Sequence, residues 1–384
     1  MTPAARSQAA IELLDAIVVA ARDAGAAADT LIARYFATRR YAGSKDRRAV
    51  RELVYAAIRA CGERPDTGRA ALLALADPAI LATFDGSPHG PAPIDPAEPV
   101  AATGVAPGWL IKRFRASDLP LPEQRALIGR APLDLRVNTL RADPATVVLP
   151  AAERIAGLPA ALRLPNGTNV DTGDGALEVQ DAGSQSVVAA LGAKPGERVI
   201  DLCAGAGGKT LALAAAMANR GTLIACDTDR GRLSRLAPRA ERAGVTIVEP
   251  RLLDPMREAA QLGDWQGRAD HVLIDAPCSG TGTWRRNPEA RWRLTPARLE
   301  SLKALQSRLL TIGAALVRPG GTLTYVVCSL LDEEGADQAA AFLAAHAAWQ
   351  AVAPAIGTPR GSGARLTPLA DATDGFFVAR LRAP

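Results

Sequence analysis

Cysteine and aromatic residues are scarce in this chain, and paired ligand spacings are absent. The five cysteines, Cys61, Cys203, Cys226, Cys278 and Cys328, are odd in number, scattered and without a C-x-x-C pair. A disulfide framework needs an even, clustered set and a zinc site needs closely spaced ligands, so both are excluded, and a reducing cytoplasm suits the free thiols. No charge-free apolar run of 18 residues occurs, which excludes a transmembrane helix. The apolar start of the chain is broken by Glu12 and Asp15, where a signal peptide needs an uncharged stretch. Its Ile11, Leu14, Val18 and Ala21 instead recur at helical spacing.

The 384 residues are enough for two or three domains, and 48% hydrophobic with 22% charged residues is the composition of a packed protein. Net charge is +5, which permits a polyanionic partner without demanding one. The charge is concentrated. Between Arg34 and Arg59 stand eight basic residues, Arg47 and Arg48 among them, against Asp46 and Glu52. Taken alone, such a run is a solvated helix face.

Residues 1–85 read as an all-α domain rich in Ala, Leu, Ile and Arg, with Gly43 and Ser44 offering a break and an N-cap. Residues 86–108 carry repeated prolines and glycines and read as a linker. Residues 109–175 read as a small α+β segment: a short helix at 109–114, a strand in which Leu133, Leu135 and Val137 alternate with Asp134, Arg136 and Asn138, and a helix from Asp143. From 176 to 384 the pattern becomes strand, loop, helix, repeated, with short apolar runs at 199–202, 222–226, 246–248, 271–274 and 322–327. This is an α/β open sheet, which binds ligands at the carboxyl ends of its strands.

The first of these runs enters Asp201-Leu-Cys-Ala-Gly-Ala-Gly-Gly-Lys-Thr210. A phosphate-binding P-loop needs glycine where Cys203 stands, and the dinucleotide pattern needs one where Thr210 stands. The remaining common use of such a turn is to cradle a nucleoside, with an acid after the second strand for the ribose hydroxyls. Asp227 is in that place. Together they point to S-adenosylmethionine. The fourth run delivers Asp275-Ala-Pro-Cys278-Ser and the fifth Cys328-Ser329, two thiols on the ligand edge. Methylation of a pyrimidine at C5 requires a thiolate to add first at C6, because C5 alone is a poor nucleophile, and Asp275 is placed to bond the ring edge. Next comes Trp284-Arg-Arg-Asn-Pro-Glu-Ala-Arg-Trp-Arg293, in a chain with only 4% aromatics. Arginines with flat rings grip unpaired RNA, making Arg285 and Arg286 candidate RNA contacts.

At these residues the chain resembles the RsmB/NOP (Sun/Fmu) family of RNA cytosine-C5 methyltransferases: Gln180-Asp-Ala-Gly-Ser-Gln185, the 201–210 loop, Asp275-Ala-Pro-Cys-Ser-Gly280 and Thr324-Tyr-Val-Val-Cys-Ser329. The family loop commonly reads A-A-P-G-G-K-T, whereas here it is Ala204-Gly-Ala-Gly-Gly-Lys-Thr210. The resemblance implies a class I, Rossmann-like S-adenosylmethionine-dependent methyltransferase domain. It would be preceded by an all-α NusB-like RNA-binding domain and a small accessory α+β RNA-binding segment. It implies that Cys328 attacks C6 and that Cys278 assists product release, with Asp275 between methyl donor and base. Cys203, Ala204, Gly205, Ala206, Gly207, Gly208 and Lys209, with Asp227, would hold the cofactor, and Asp254 would lie near the adenine. Arg47 and Arg48, in a segment similar to the NusB-like domain of the bacterial 16S rRNA enzyme, become RNA contacts. The expected partner is RNA, 16S rRNA above a tRNA or another rRNA. The chain is expected to act as a monomer without metal or membrane.

Two other readings compete. A DNA cytosine-C5 methyltransferase would use Pro277-Cys278, but usually has a Glu-Asn-Val motif that this chain lacks, and its second thiol would be idle. A ribosome-assembly factor without turnover would have no need of two thiols.

Overall fold

The computed structural model describes residues 1–23 and 25–384 and divides into two units. Unit 1 comprises Met1–Gly129 with Thr283–Thr295, and unit 2 comprises Arg130–Gly282 with Pro296–Pro384.

Unit 1 is helical, with α1 (Pro3–Arg22), α2 (Ala28–Ala37), α3 (Ser44–Ala60) and α4 (Gly68–Leu73) as its main body. Thr2 caps α1 by accepting from the Ala5 amide, and Pro3 follows at a position where its missing N–H costs no helix bond. Gly43, not Ser44, is the cap residue of α3. Leu13, Leu14, Ile17, Phe36, Val50, Val54 and Ile58 form one apolar core, and the side chain of Trp292 packs in it.

Two expectations are corrected here. The proline-rich 86–108 segment belongs to unit 1 and is tied down: Arg69 forks onto Glu98 (2.5 and 2.9 Å) and donates to the carbonyls of Ala92 and Pro93. Proline leaves carbonyls without matching N–H groups, and one guanidinium gathers them. The segment at 283–295 is also part of unit 1, where it closes helix ends. Arg291 donates to the carbonyls of Ile58 (2.5 Å), in the last turn of α3, and Cys61 (2.8 Å), just past it. Arg293 donates to those of Ala20, Gly25 and Ala26 after α1, and Glu289 accepts from the first amide of α2. Helix ends leave unpaired carbonyls and amides of these signs, so cations and an anion are drawn to them.

Unit 2 holds two sheets. Strands β1 (Leu133–Val137), β2 (Glu153–Ile155), β3 (Leu158–Leu164) and β4 (Leu177–Val179) form an antiparallel sheet in the order β2-β3-β1-β4. No helix follows Asp143: its carboxylate accepts from the Ala145 amide, a single turn closes at Thr146, and the chain goes on to Pro150 without helix.

The second sheet contains β5 (Arg198–Asp201), β6 (Thr222–Asp227), β7 (Val248–Leu252), β8 (Ala269–Asp275), β9 (Val317–Val327), β10 (Gln350–Val352), β11 (Thr358–Arg360), β12 (Gly363–Leu366) and β13 (Phe376–Arg382). Its order is β11-β12-β13-β9-β8-β5-β6-β7, with β10 also on β13. β5 through β9 run parallel, and the last four strands add antiparallel. β7 starts at Val248, where the apolar run at 246–248 ends, so that run marks the approach to the strand. β5, β6, β8 and β9 are buried on both faces: Ile200, Ile224, Val272 and Tyr325 face one core, and Val199, Leu223, Leu273 and Val326 the other. That is why they read as unbroken apolar runs. From β5 the chain builds outward through β6 and β7, then returns to place β8 on the other side of β5. The sheet order therefore reverses between β5 and β8, where ligands bind in such folds.

Candidate active site

At the end of β5, Gly207 adopts the left-handed conformation (φ 86°) as the residue before the helix Gly208–Ala216. A side chain there would come within 2.2 Å of Leu236. Glycine is required by both the backbone and the space. Asp227 closes the loop from the end of β6: one carboxylate oxygen accepts from the Gly205 amide and the other from the Asp229 amide, each at 2.7 Å. Each oxygen keeps a further lone pair, so Asp227 can still accept from a ligand hydroxyl.

Asp201 lies beneath this loop and accepts from the Thr210 hydroxyl at 2.7 Å, while its other oxygen has no partner among the described residues. Burial pushes its carboxyl up to about 7, and the nearby Asp275 and Asp227 charges add to the effect against the Thr210 bond. Lys209 reaches Asp275 at 2.6 Å. Burial works against the lysine charge, but the carboxylate outweighs it and the ammonium is held above its usual range.

Beyond β8 and β9, the sulfurs of Cys278 and Cys328 stand 3.4 Å apart. The bond to Cys328 and burial both raise the Cys278 thiol well above its ordinary value. Gly282 donates its amide to the Cys328 carbonyl at 3.0 Å, and Gly375 lies so close that a side chain at 282 would strike its carbonyl at 2.1 Å. A cavity of about 490 Å³ is lined by Cys203, Asp227, Asp275, Pro277, Cys278 and Cys328. Its volume is in the range of cofactor sites.

The structure thus brings together Cys203, Asp227, Asp275, Cys278 and Cys328. From the glycine loop, the lining residue is Cys203; Ala204 to Gly208 shape the turn, and Lys209 engages Asp275. Asp254 is not itself among the residues lining the cavity. It is exposed, accepts from Gln261 and lies 3.9 Å from Arg257, while its neighbours Leu253 and Pro255 line the cavity. Trp284 is fully buried, edge-on to Phe114 with ring centroids 5.5 Å apart. Arg285 is only 7% exposed and Arg286 is half-buried. Arg47 and Arg48 are exposed at the start of α3.

Sequence reasoning missed Glu334. Wholly buried, it accepts from the Ser279 amide (2.8 Å) and hydroxyl, from Ser329 Oγ (2.6 Å) and from the Gln306 amide (3.0 Å). It ties the residue after each of the two cavity-lining cysteines to one carboxylate. The only signal was a run of three acids, Asp332 to Glu334, just past Cys328, with nothing to say which one turns inward. Arg298 and Arg308, from the long helix Pro296–Leu316, also line the cavity and were not anticipated.

The profile of the family described as 16S rRNA methyltransferase RsmB/F matches residues 188–382. The chain belongs to that family. It is 35% identical over 301 residues to the probable ribosomal RNA small subunit methyltransferase B of Synechocystis sp., and 35% over 292 residues to ribosomal RNA small subunit methyltransferase B of Salmonella arizonae. Each match covers 72% of this chain and 66% of the relative, so the chain spans just under two thirds of the length of these curated proteins. The crystal structure of PH0851 superposes with a TM-score of 0.76 at 26% identity, covering 99% of both chains. The cofactor of this RsmB/F family member is S-adenosylmethionine, and the cavity's donor set suits it: a carboxylate at a glycine turn for the ribose and apolar Leu253 and Leu309 for the flat base.

Proposed function

We propose that this chain methylates C5 of a cytosine in RNA, with 16S rRNA as substrate. The observation that carries the reading is the pair of thiols, 3.4 Å apart, on the same cavity as Asp227. Cys203 and Asp227 would hold S-adenosylmethionine, which supplies the methyl group as an electrophile when bound. Cys328 Sγ adds to C6 of the base, and the C5=C6 electron pair moves to C5, making that carbon nucleophilic. Asp275, fixed by its ion pair with Lys209, bonds the ring edge and steadies the adduct. Once C5 has taken the methyl group, the donor sulfur keeping the electrons of the broken bond, Cys278, having given up its own proton, takes the C5 proton. The double bond re-forms, the C6–Sγ bond breaks and Cys328 leaves as thiolate.

The 3.4 Å separation puts Cys278 beside the adduct that Cys328 would form, which supports Cys278 as the helper. We read the helices of unit 1 as the NusB-like RNA-binding domain, with Arg47 and Arg48 on its exposed face. The antiparallel sheet β1–β4 is the accessory RNA-binding segment in the same reading. The test is methyl transfer from labelled cofactor to 16S rRNA, mapped by bisulfite sequencing. Label in 5-methylcytosine of 16S rRNA supports the proposal. Label only in tRNA or DNA, or none with cofactor bound, overturns it.

A further inference from the structure

We infer that unit 1 carries a pocket for one unpaired RNA base, separate from the cavity that holds the thiols. The inference rests on the RNA-methylating reading above. The pocket is a hollow of about 880 Å³ lined by Gln8, Glu12, Tyr35, Arg39, Tyr41 and His89, among others. The chain has four tyrosines, and two of them line this hollow. Tyr41 is 73% exposed, an unusual position for a ring that contributes nothing to the core. Arg39 lies over the Tyr35 ring at 3.6 Å and donates to the Tyr35 carbonyl at 3.2 Å, so ring and guanidinium form a fixed stack.

Glu12 holds this stack. It accepts from the Tyr35 hydroxyl at 2.7 Å and pairs with Arg39 at 3.5 Å, which offsets its own charge in the hollow. Gln8 and His89 add donors and acceptors suited to a base edge. Arg34 and Arg40 adjoin the lining residues Tyr35, Arg39 and Tyr41 in sequence, and with Lys45, Arg47 and Arg48 further along the same segment they are all exposed. Flat rings stack on bases while surrounding cations hold phosphates, and single-stranded RNA is gripped in this way. A protein partner would make less use of so many arginines beside an accessible ring and an arginine-capped one. A duplex offers no base to stack, so the occupant is an unpaired nucleotide flanked by backbone.

The test uses the full chain and two RNAs of equal length, one single-stranded and one a perfect duplex, with Tyr41→Ala and Tyr41→Phe. Tyr41 is exposed, so neither variant is expected to unfold unit 1. Losing one stacked base should weaken single-strand affinity about 5- to 150-fold at every salt concentration, leaving the salt slope unchanged. Tyr41→Phe should restore it and duplex affinity should not move. Equal weakening for duplex, or wild-type affinity for single strands in Tyr41→Ala, overturns the pocket. If wild-type chain binds neither RNA, the RNA-methylating reading itself fails, which is a distinct result.

Discussion

The Cys278 and Cys328 sulfurs lie 3.4 Å apart although their residues are 50 positions distant in the chain, because β8 and β9 are hydrogen-bonded neighbours that end side by side. This closeness lets the two thiols be separated by their products. With Cys328→Ala, no bond to C6 forms, so methylation and any covalent protein–RNA complex should disappear. With Cys278→Ala, addition and methyl transfer should proceed and release should stall, giving a protein–RNA band that survives denaturing electrophoresis and vanishes in the double variant. Trapping by Cys328→Ala and not by Cys278→Ala would exchange the roles.

Glu334 predicts a defect of a different kind. Glu334→Ala leaves a buried amide at Ser279 and the Gln306 amide short of an acceptor, at about 1–3 kcal/mol for each unpaired group. The thermal midpoint should fall. In folded protein at low temperature, turnover should drop while cofactor affinity holds, since Glu334 does not line the cavity. Unchanged turnover in folded protein would show that the two serine loops keep their places without it.

Asp227 is expected to show in cofactor binding. Its carboxylate both faces the cavity and clamps the Gly205 and Asp229 amides, so Asp227→Ala removes a ligand acceptor and loosens the loop. Affinity for S-adenosylmethionine by calorimetry should fall by about 1.5–3 kcal/mol, roughly 10- to 150-fold. Wild-type affinity in a folded variant would remove Asp227 from the site.

How far the sequence could be read depends on the range of the physics involved. Strands β5, β6, β8 and β9 were legible because burial on both faces writes an apolar run, and the strand-end rule then led to Asp227, Asp275, Cys278 and Cys328. The β10–β13 strands were not anticipated, because Gln350–Val352 and Thr358–Arg360 are too short to show a period. At Trp284–Arg293 local composition misled: arginine beside tryptophan looks the same whether it grips phosphate or caps helices. The difference lies in partners at Ala20 and Ile58, more than 200 residues away in sequence. Glu334 was hidden for the same reason, since its donors at Ser279 and Gln306 belong to other elements.

Arg291 provides the test of that capping role. Burial lowers its guanidinium to about 10, still charged at neutral pH, and its fork satisfies carbonyls at the end of α3. Arg291→Ala should destabilise unit 1 by about 3 kcal/mol, read as faster hydrogen exchange in α1 and α3. RNA affinity and its salt slope, measured on folded protein, should be unaltered. A flattened salt slope without loss of exchange protection would return Arg291 to the RNA interface.

Asp201 sets a dependence of stability on pH. Its carboxyl titrates near 7 in the fold and near the ordinary 3.8 in the unfolded chain, so folding takes up a proton between these values. Where the folded state binds more protons, stability decreases as pH rises, and this contribution is lost progressively from about pH 4 to 7. The cause is burial first, then the neighbouring charges of Asp275 and Asp227, which a neutral Asp201 does not repel. Asp201→Asn keeps an oxygen to accept from Thr210 and has no proton to lose. The urea midpoint of the variant relative to wild type should therefore rise with pH over that interval and level off above it, by an amount on the order of a few kcal/mol. The difference is the informative quantity, because other carboxylates titrate equally in both proteins. A difference that is constant from pH 4 to 8 would mean that Asp201 is ionised in the fold throughout, with water or another donor reaching its second oxygen.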